Sequence, residues 1–223
     1  MLDRIDTAFK AEKSFVSHAS HELNNPITAI QGECEISLLK ERSTEEYVEA
    51  LQRIAGESKR LSNLIRHLMF LSRQEEDIRK NNVEKIYLAD LLQEMSSAVP
   101  RLRLQYPEEG VKSAVVDANP YLFKIALQNI IDNACKYSQE EVIVRLYKEG
   151  ERWGIAVGDS GIGIPKDEIE HIFQSFYRGS NTREYTGQGV GLSLSAKIFS
   201  VYGGKIEIAS EEGKGTEVKV IFG

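Results

Sequence analysis

Two glycine-rich segments carry the first chemical signal in this sequence. Residues 159–165 read D-S-G-I-G-I-P, and residues 187–192 read G-Q-G-V-G-L. Glycine lets backbone approach a ligand closely, and a glycine-rich turn ahead of a helix can hold phosphate on its N–H groups. Either segment alone is typical of an ordinary turn. Neither is a P-loop, and the second lacks the spacing and the preceding strand of a dinucleotide-binding loop.

A third segment, residues 129–137, supplies polar groups for such a site. Asn129 and Asn133 lie four positions apart and therefore share one face of a helix that is otherwise largely apolar. Their amide oxygens suit Mg²⁺, and Lys136 suits a phosphate. Asp159 would then be the carboxylate that reads the amino group of a base. The alternative is a solvated helix face with no ligand.

A fourth segment, residues 15–27, places an imidazole beside a carboxylate. A neutral His21 is a competent nucleophile, and Glu22 can hold or remove the proton on its other ring nitrogen. Pro26 removes the backbone hydrogen bond to the carbonyl of Glu22, so we expect the helix to bend just past His21. His18 and His21 are an alternative metal pair, although no third ligand is apparent in the sequence.

The elements that must position these residues fall into two unlike parts. Residues 1–74 show helical spacing around a turn, with a helix start capped by Ser43 or Thr44. Their apolar positions recur in steps of three, four and seven: Phe9, Val16, Leu23 and Ile30, then Leu51, Ile54, Leu61, Ile65 and Leu68. This pattern predicts a helical hairpin whose apolar stripe is covered by a second copy, which gives a homodimer with a four-helix bundle.

The remaining residues predict a different architecture. Residues 75–82 are polar and aperiodic, which is typical of a linker. Residues 83–223 alternate strand and helix patterns, including a helix that begins at Asn119 and Pro120 and two strand hairpins around residues 150–151 and 211–215. The fold class is therefore α plus α/β: a helical hairpin followed by an α/β sandwich with helices on one face of the sheet.

Bulk composition narrows the class of protein. The chain has 223 residues, a net charge of -6 and 41% hydrophobic residues, which favours a globular protein over a general nucleic-acid binder. Two cysteines are too few for a disulfide framework, and both are expected to be inert packing residues. No apolar run approaches the roughly 20 residues that span a bilayer. We expect a cytoplasmic chain that is a fragment of a membrane-anchored protein.

The later segments resemble the ATP-binding domain shared by histidine kinases, gyrases, the MutL repair proteins and a major chaperone family. The order N-x-x-x-N-A-x-K-Y, D-x-G-x-G-I, I-F-x-x-F-Y-R and T-G-x-G-x-G-L is similar to the histidine kinase branch and covers roughly residues 83–223. This resemblance implies ATP and Mg²⁺ as cofactors, with Asn133 as the main metal ligand and Asn129 near it. It also implies that Asp159 bonds the adenine amino group.

The same resemblance implies further nucleotide contacts. Residues 176–189 look like the flexible lid over the phosphates, with Arg178 as a candidate phosphate contact. Phe173 and Phe176 have an alternative role as core anchors. The implied nucleotide-binding set is Asn129, Asn133, Lys136, Tyr137, Asp159, Gly161, Gly163, Ile164, Phe176, Arg178, Gly187, Gly189, Val190, Gly191 and Leu192.

Residues 15–27 resemble the phosphoacceptor box of histidine kinases, F-x-x-x-x-S-H-E-L-x-x-P. On that match His21 is the acceptor and Glu22 the general base. A Thr or Asn four positions after the acceptor is associated in this family with positioning water for dephosphorylation of a partner, which assigns that role to Asn25. Asn24 departs from the Arg that the family usually carries, which removes a positive charge beside the acceptor.

The resemblance implies an ATP-dependent protein histidine kinase of two-component signal transduction. It would phosphorylate its own His21, pass the phosphoryl group to an aspartate of a response regulator, and have dephosphorylation of that regulator as a second activity. Two alternatives stay open: an ATP-hydrolysing conformational machine, and a docking module that has lost kinase activity. Released phosphate without phosphoprotein would indicate the first.

Overall fold

The computed structural model describes the backbone of residues 2–223 and the side chains of residues 13–223. It divides into two compact units, Met1–Ser72 and Arg73–Gly223. The first unit is a hairpin of helix α1, Leu2–Leu38, and helix α2, Thr44–Leu71. Helix α1 is continuous through Pro26. No helix among the described residues is long and apolar enough to cross a bilayer.

The start of α2 confirms the predicted helix cap and assigns it to Ser43. The Ser43 hydroxyl accepts the Glu46 N–H at 3.2 Å, and the Glu46 carboxylate accepts the Ser43 N–H at 2.9 Å. This reciprocal pair satisfies two backbone donors that the first turn leaves without partners. The two bonds therefore set where the turn ends and the second helix begins.

The two helices of the hairpin contact one another but leave much of their apolar surface exposed. Leu51 of the predicted stripe is 63% exposed, and Val16 is 57% exposed. Leu23 and Ile30 are half-buried, and the side chain of Phe9 lies outside the described residues. One hairpin alone therefore covers only part of the stripe that the sequence predicts.

The predicted linker, residues 75–82, lies within the second unit and begins with helix α3, Glu75–Arg79. Ile78 is buried, and its carbonyl accepts the Tyr202 hydroxyl at 3.2 Å. The Asn119 amide donates to the carbonyl of Asn81 at 3.0 Å. A single apolar residue in a polar run gives no periodicity, so the sequence pattern could not indicate that this segment packs.

The second unit has two sheets and three larger helices. The strands are β1 Glu84–Tyr87, β2 Leu102–Gln105, β3 Val115–Ala118, β4 Val142–Glu149, β5 Arg152–Asp159, β6 Gly204–Glu211 and β7 Gly215–Phe222; the helices are α4 Leu88–Ala98, α5 Pro120–Tyr137 and α6 Gly191–Val201. Strands β1 and β3 form a two-stranded antiparallel sheet. The other strands form a five-stranded sheet in the order β2-β4-β5-β7-β6, in which β2 is parallel to β4 and the other pairs are antiparallel.

Helices α5 and α6 pack on each other and against the larger sheet, as the alternating strands predict. Along β4, the side chains of Val142, Val144 and Leu146 are buried, and those between them face solvent. Phe123 and Phe199 meet edge to face at 5.2 Å in the core between the two helices. The sheet therefore supports both helices from one side. The candidate site residues of these helices lie toward the end of α5 and at the start of α6.

Candidate functional site

Helix α5 carries the polar residues that the sequence singles out. Asn119 caps its start by accepting the Leu122 N–H at 3.0 Å, and Pro120 occupies the first turn, as predicted. Near the other end, Asn129, Asn133, Lys136 and Tyr137 are all half-buried. The Asn129 amide faces the carbonyl of Gly191 with N and O 3.4 Å apart, which brings α5 beside the start of α6.

Asp159 ends β5, and Gly161 after it packs tightly against the end of α5. The Gly161 N–H donates to Asp159 Oδ1 at 2.8 Å, and the Ile162 N–H donates to the carbonyl of Tyr137 at 3.2 Å. A Cβ atom on Gly161 would lie 2.2 Å from that same carbonyl oxygen. Glycine at position 161 is therefore required by a close approach of the protein's own backbone, whereas the sequence suggested approach to a ligand.

The second glycine of this loop meets the end of the sheet. Gly163 has φ +63°, and a Cβ atom there would lie 2.0 Å from the carbonyl oxygen of Glu211. The next residue, Ile164, donates its N–H to the Ser210 hydroxyl at 2.9 Å. The loop is therefore fixed on one side by α5 and on the other by β6.

Burial gives the Asp159 carboxylate an unusual electrostatic setting. Desolvation raises its pKa above the ordinary value of 3.8, and hydrogen bonds from the Gly161 and Thr216 backbones oppose that rise. A half-buried carboxylate with two backbone donors retains lone pairs for a ligand, since a carboxylate offers about four acceptor sites. Such a group can bind an amino group.

The loop from Phe176 to Gly189 corresponds to the predicted lid. Its ends are joined by a hydrogen bond from the Phe176 N–H to the Gly189 carbonyl at 2.8 Å, and both residues have positive φ, 70° and 69°. A Cβ on Gly189 would lie 2.5 Å from the Tyr177 carbonyl oxygen. Phe173 and Phe176 are half-buried, so neither is a fully buried core anchor.

Three contacts that the sequence analysis missed hold this loop in place. The Glu168 carboxylate accepts the Ser180 N–H at 3.1 Å, and the Asn181 amide donates to the Gly163 carbonyl at 3.0 Å. The ring of Tyr185 meets that of Tyr137 edge to face at 5.0 Å. Each contact joins residues at least 12 positions apart, so no local motif could indicate it.

Arg178, the predicted phosphate contact, has its guanidinium on the lid backbone. It donates to the Thr182 carbonyl at 2.7 Å and also to the Tyr185 carbonyl. The Lys136 ammonium lies 4.2 Å from the centroid of the Tyr137 ring and would be 2.9 Å from a Cβ on Gly187. The structure therefore brings Lys136 and Tyr137 to the lid.

Helix α6 begins at Gly191, where the last predicted glycine motif ends. Among the described residues, no side chain caps this start. Val190 is buried and fixes the entry to the helix, while Gly191 and Leu192 are half-buried. N–H groups in the first turn of a helix attract anions. A glycine turn, a helix start and Lys136 together can bind phosphate.

A magnesium site is compatible with the asparagines. Within the described residues, no group of three or more His, Cys, Asp or Glu side chains could hold a metal. Mg²⁺ binds few protein ligands and takes its others from water and substrate phosphates. The contact between Asn129 and Gly191 uses the amide nitrogen of Asn129, so the amide oxygens of Asn129 and of Asn133, one helical turn later, are the groups that could hold such an ion.

The residues predicted in the first unit lie together on α1. His21 and Asn25 are exposed one helical turn apart, and Glu22 beside them is half-buried. His18, one turn earlier, has its Nδ1 atom 3.3 Å from the Ser14 hydroxyl. An exposed imidazole with an adjacent carboxylate can act as a nucleophile toward a group delivered from solvent or from another domain.

Comparisons with known proteins match both parts of the chain. Residues 11–77 match the His Kinase A (phospho-acceptor) domain, and residues 118–222 match the histidine kinase-, DNA gyrase B-, and HSP90-like ATPase family. Signal transduction histidine-protein kinase ArlS of Staphylococcus aureus is 30% identical over 233 residues, which cover 100% of this chain and 51% of ArlS. The chain thus spans about half the length of the curated relatives it matches.

Solved structures share the fold. Histidine kinase ThkA, in complex with response regulator protein TrrA, superposes with a TM-score of 0.73 at 20% identity, over 97% of this chain and 63% of ThkA. Full-length ShkA in complex with AMPPNP gives a TM-score of 0.65 at 18% identity, over 94% of this chain and 45% of ShkA. With a phosphoacceptor domain followed by an ATPase domain, the chain belongs to the sensor histidine kinase family.

Proposed function

We propose that this chain is the catalytic core of a protein histidine kinase that transfers the γ-phosphoryl group of ATP to His21. The observation that carries the proposal is the exposed imidazole of His21 beside Glu22, on a helix that matches a phosphoacceptor domain. The same chain carries an ATPase domain with a suitable arrangement of asparagines, an acidic residue and glycines. The proposal locates this part of the chain in the cytoplasm, where ATP is available.

Helix α5 and the two glycine loops would bind the nucleotide. Asp159 would accept a hydrogen bond from the adenine amino group, and the loop at Gly161 and Gly163, held against Tyr137 and Glu211, would line the base. Lys136 and the first turn of α6 receive the phosphates. Asn133 and Asn129 would hold Mg²⁺, which when bound neutralises phosphate charge. The AMPPNP complex of ShkA supports an adenine nucleotide as the ligand.

The chemical step is a displacement at phosphorus. One ring nitrogen of His21 attacks the γ-phosphorus, the bond to the bridging oxygen breaks, and ADP leaves with that electron pair. Glu22 holds or removes the proton on the other ring nitrogen, which keeps the attacking nitrogen unprotonated. Little covalent chemistry falls to the protein, so the rate depends on positioning and charge stabilisation.

The phosphorylated histidine would then transfer its phosphoryl group to an aspartate of a response regulator. The structure of ThkA with the response regulator protein TrrA supports this class of partner. Asn25 is exposed on the same face as His21, one helical turn later, where its amide can orient a water molecule. This arrangement favours a second activity, hydrolysis of the phosphoaspartate of the same partner, with Asn25 as the water-positioning residue.

A homodimer would complete the first unit. Exposed apolar side chains run along both helices of the hairpin, including Val16, Ile27 and Leu51 on the predicted stripes and their flanks. Burying them against a second hairpin is favourable by about 25 cal/mol per Å² of apolar surface. A four-helix bundle is the closed arrangement of two such hairpins.

The experiment that tests the proposal compares His21→Ala with His18→Ala after incubation with labelled ATP. The control removes an imidazole from the same helix, one turn away, and it should keep its label. His21→Ala should lose acid-labile phosphoprotein while still binding ATP. Equal labelling of the two variants would contradict the assignment of His21.

Free phosphate measured in the same samples separates the rival functions. A conformational ATPase would release phosphate at equal rates from wild type and His21→Ala and would give no phosphoprotein. A docking module would give neither product, although it would still bind a phosphorylated regulator. Phosphoprotein that depends on His21 excludes both.

A further inference from the structure

We infer that Arg178 is a positioning residue of the lid and that Tyr185, placed by Arg178 against Tyr137, is the contact that retains the bound nucleotide. This inference rests on the proposed function, because it treats the site beneath the lid as the ATP site. It assigns a role to Tyr185, which no sequence motif marks, and it gives Arg178 a role other than contact with phosphate.

Two hydrogen bonds define what Arg178 does. Its guanidinium donates to the carbonyls of Thr182 and Tyr185, which lie four and seven positions further along the chain. A planar guanidinium can hold two carbonyls at once in a fixed geometry. The turn between them has its own bonds, from the Thr182 N–H to Gly179 at 3.0 Å and from the Tyr185 N–H to Thr182 at 3.1 Å. Arg178 therefore fixes the shape of residues 179–185.

The turn fixed by Arg178 places the side chain of Tyr185 against the site. Within the described stretch 183–187, Tyr185 is half-buried while its four neighbours are exposed. Its ring meets the Tyr137 ring at 5.0 Å and 62°, the edge-to-face geometry that is favourable for aromatic pairs. The Lys136 ammonium lies 4.2 Å from the centroid of the Tyr137 ring. Tyr137 thus connects the lid to a candidate phosphate-binding lysine.

Tyr137 is also part of the wall of the site. Its carbonyl accepts the Ile162 N–H and lies so close to Gly161 that a Cβ there would be 2.2 Å away. A lid held on Tyr137 therefore lies at the same wall as the glycine loop after Asp159. The Tyr185–Tyr137 contact must break before a nucleotide beneath the lid can leave, so losing it should speed dissociation.

The test uses four variants of the full chain and a fluorescent ATP analogue with Mg²⁺. Tyr185→Leu and Arg178→Gln remove the contact and its support. Tyr185→Phe keeps the ring, and Arg183→Gln removes the same charge from an exposed arginine of the same loop. Stopped-flow dissociation should be about 2- to 12-fold faster in the first two variants, the range that one aromatic pair contributes. The two controls should stay within about twofold of wild type.

A double variant distinguishes positioning from phosphate contact. If Arg178 acts through Tyr185, Arg178→Gln with Tyr185→Leu should dissociate no faster than Tyr185→Leu alone. The affinities for ATP and for adenosine should also fall by the same factor in Arg178→Gln. Multiplied effects in the double variant, or loss of ATP affinity with adenosine binding unchanged, would overturn the inference and indicate a phosphate contact.

Hydrogen exchange without nucleotide separates this inference from the proposed function. Amides of Thr182 and Tyr185 should exchange faster in Tyr185→Leu and Arg178→Gln than in Tyr185→Phe and Arg183→Gln. Equal exchange in all four variants would contradict the contact whether or not the chain is a kinase. Faster exchange in the first pair, from a protein that binds no ATP, would instead contradict the proposed function.

Discussion

Replacing Asp159 by Asn tests how the proposed adenine site reads its ligand. The substitution keeps the shape of the side chain, and its amide oxygen can still accept the Gly161 N–H that now bonds Asp159 Oδ1 at 2.8 Å. The second position changes from an acceptor to an amino group. In the proposed complex two donors, the amide and the adenine amino group, would then face each other.

The size of the effect follows from that change. A hydrogen bond to a charged group contributes about 1.5–3 kcal/mol, so its loss should weaken ATP binding by roughly 10- to 150-fold. Inosine triphosphate carries a carbonyl in place of the amino group, and the new amide of Asp159→Asn can donate to it. We therefore expect the variant to bind inosine triphosphate more tightly than ATP, the reverse of wild type.

The same substitution should raise the stability of the nucleotide-free protein, although it lowers the affinity for ATP. Burial raises the Asp159 pKa above 3.8, so the folded state accepts the charged form less readily than the unfolded state does. The resulting loss of stability is absent below the ordinary pKa of 3.8 and grows as the pH rises from this value through the raised pKa. Above the raised pKa the loss is constant. Asp159→Asn should therefore unfold at a higher temperature than wild type at neutral pH, and the difference should disappear near pH 3.8.

Calorimetric titration with the two nucleotides and thermal unfolding across this pH range are the assays. ATP binding that is unchanged in Asp159→Asn, or a loss that is equal for ATP and inosine triphosphate, would refute the base-reading role. A gain in unfolding temperature that persists at acidic pH would refute the electrostatic explanation.

Four further substitutions, one of them a control, test other parts of the site and fold. Asn133→Ala should abolish Mg²⁺-dependent ATP binding and self-labelling because it removes an oxygen ligand, and full labelling would contradict the metal role. Gly163→Ala should destabilise the domain by more than the cost of a left-handed φ, about 1–2 kcal/mol, because its Cβ would lie 2.0 Å from the carbonyl oxygen of Glu211. Gly110→Ala is the control, since Gly110 has φ +82° and a Cβ there would have nothing within 4 Å. In chemical denaturation the control should show the cost of the left-handed φ alone. Leu51→Glu should convert a dimer to a monomer in light scattering, and an unchanged mass would contradict the proposed bundle.

Features with strong local signals were predictable from the sequence. Ser43 and Glu46 form a capping box that any reader of the sequence can locate, and Asn119 with Pro120 marks the start of α5. Strands β4 and β6 alternate between buried or half-buried and exposed side chains over most of their length, as their sequences predict. In these elements the local preference and the tertiary structure agree.

Features that depend on distant contacts were not predictable. Strand β2, Leu102–Gln105, is four residues long and gains its place by pairing with β4, so its own pattern says little. The packing of residues 75–82 depends on Ile78 and its partner Tyr202. The same holds for the lid, where the Arg178 guanidinium donates to the carbonyls of Thr182 and Tyr185, contacts that no sequence pattern indicates.

The most direct measurement is to find which side chain carries phosphate after incubation with Mg²⁺ and ATP. Mass spectrometry under conditions that preserve phosphohistidine, with fragmentation of the segment 14–40, can resolve His18 from His21 in one peptide. We expect a phosphoryl group on His21, absent when Asn133 is alanine. Phosphate on His18, or an unmodified segment beside rapid release of free phosphate, would contradict it.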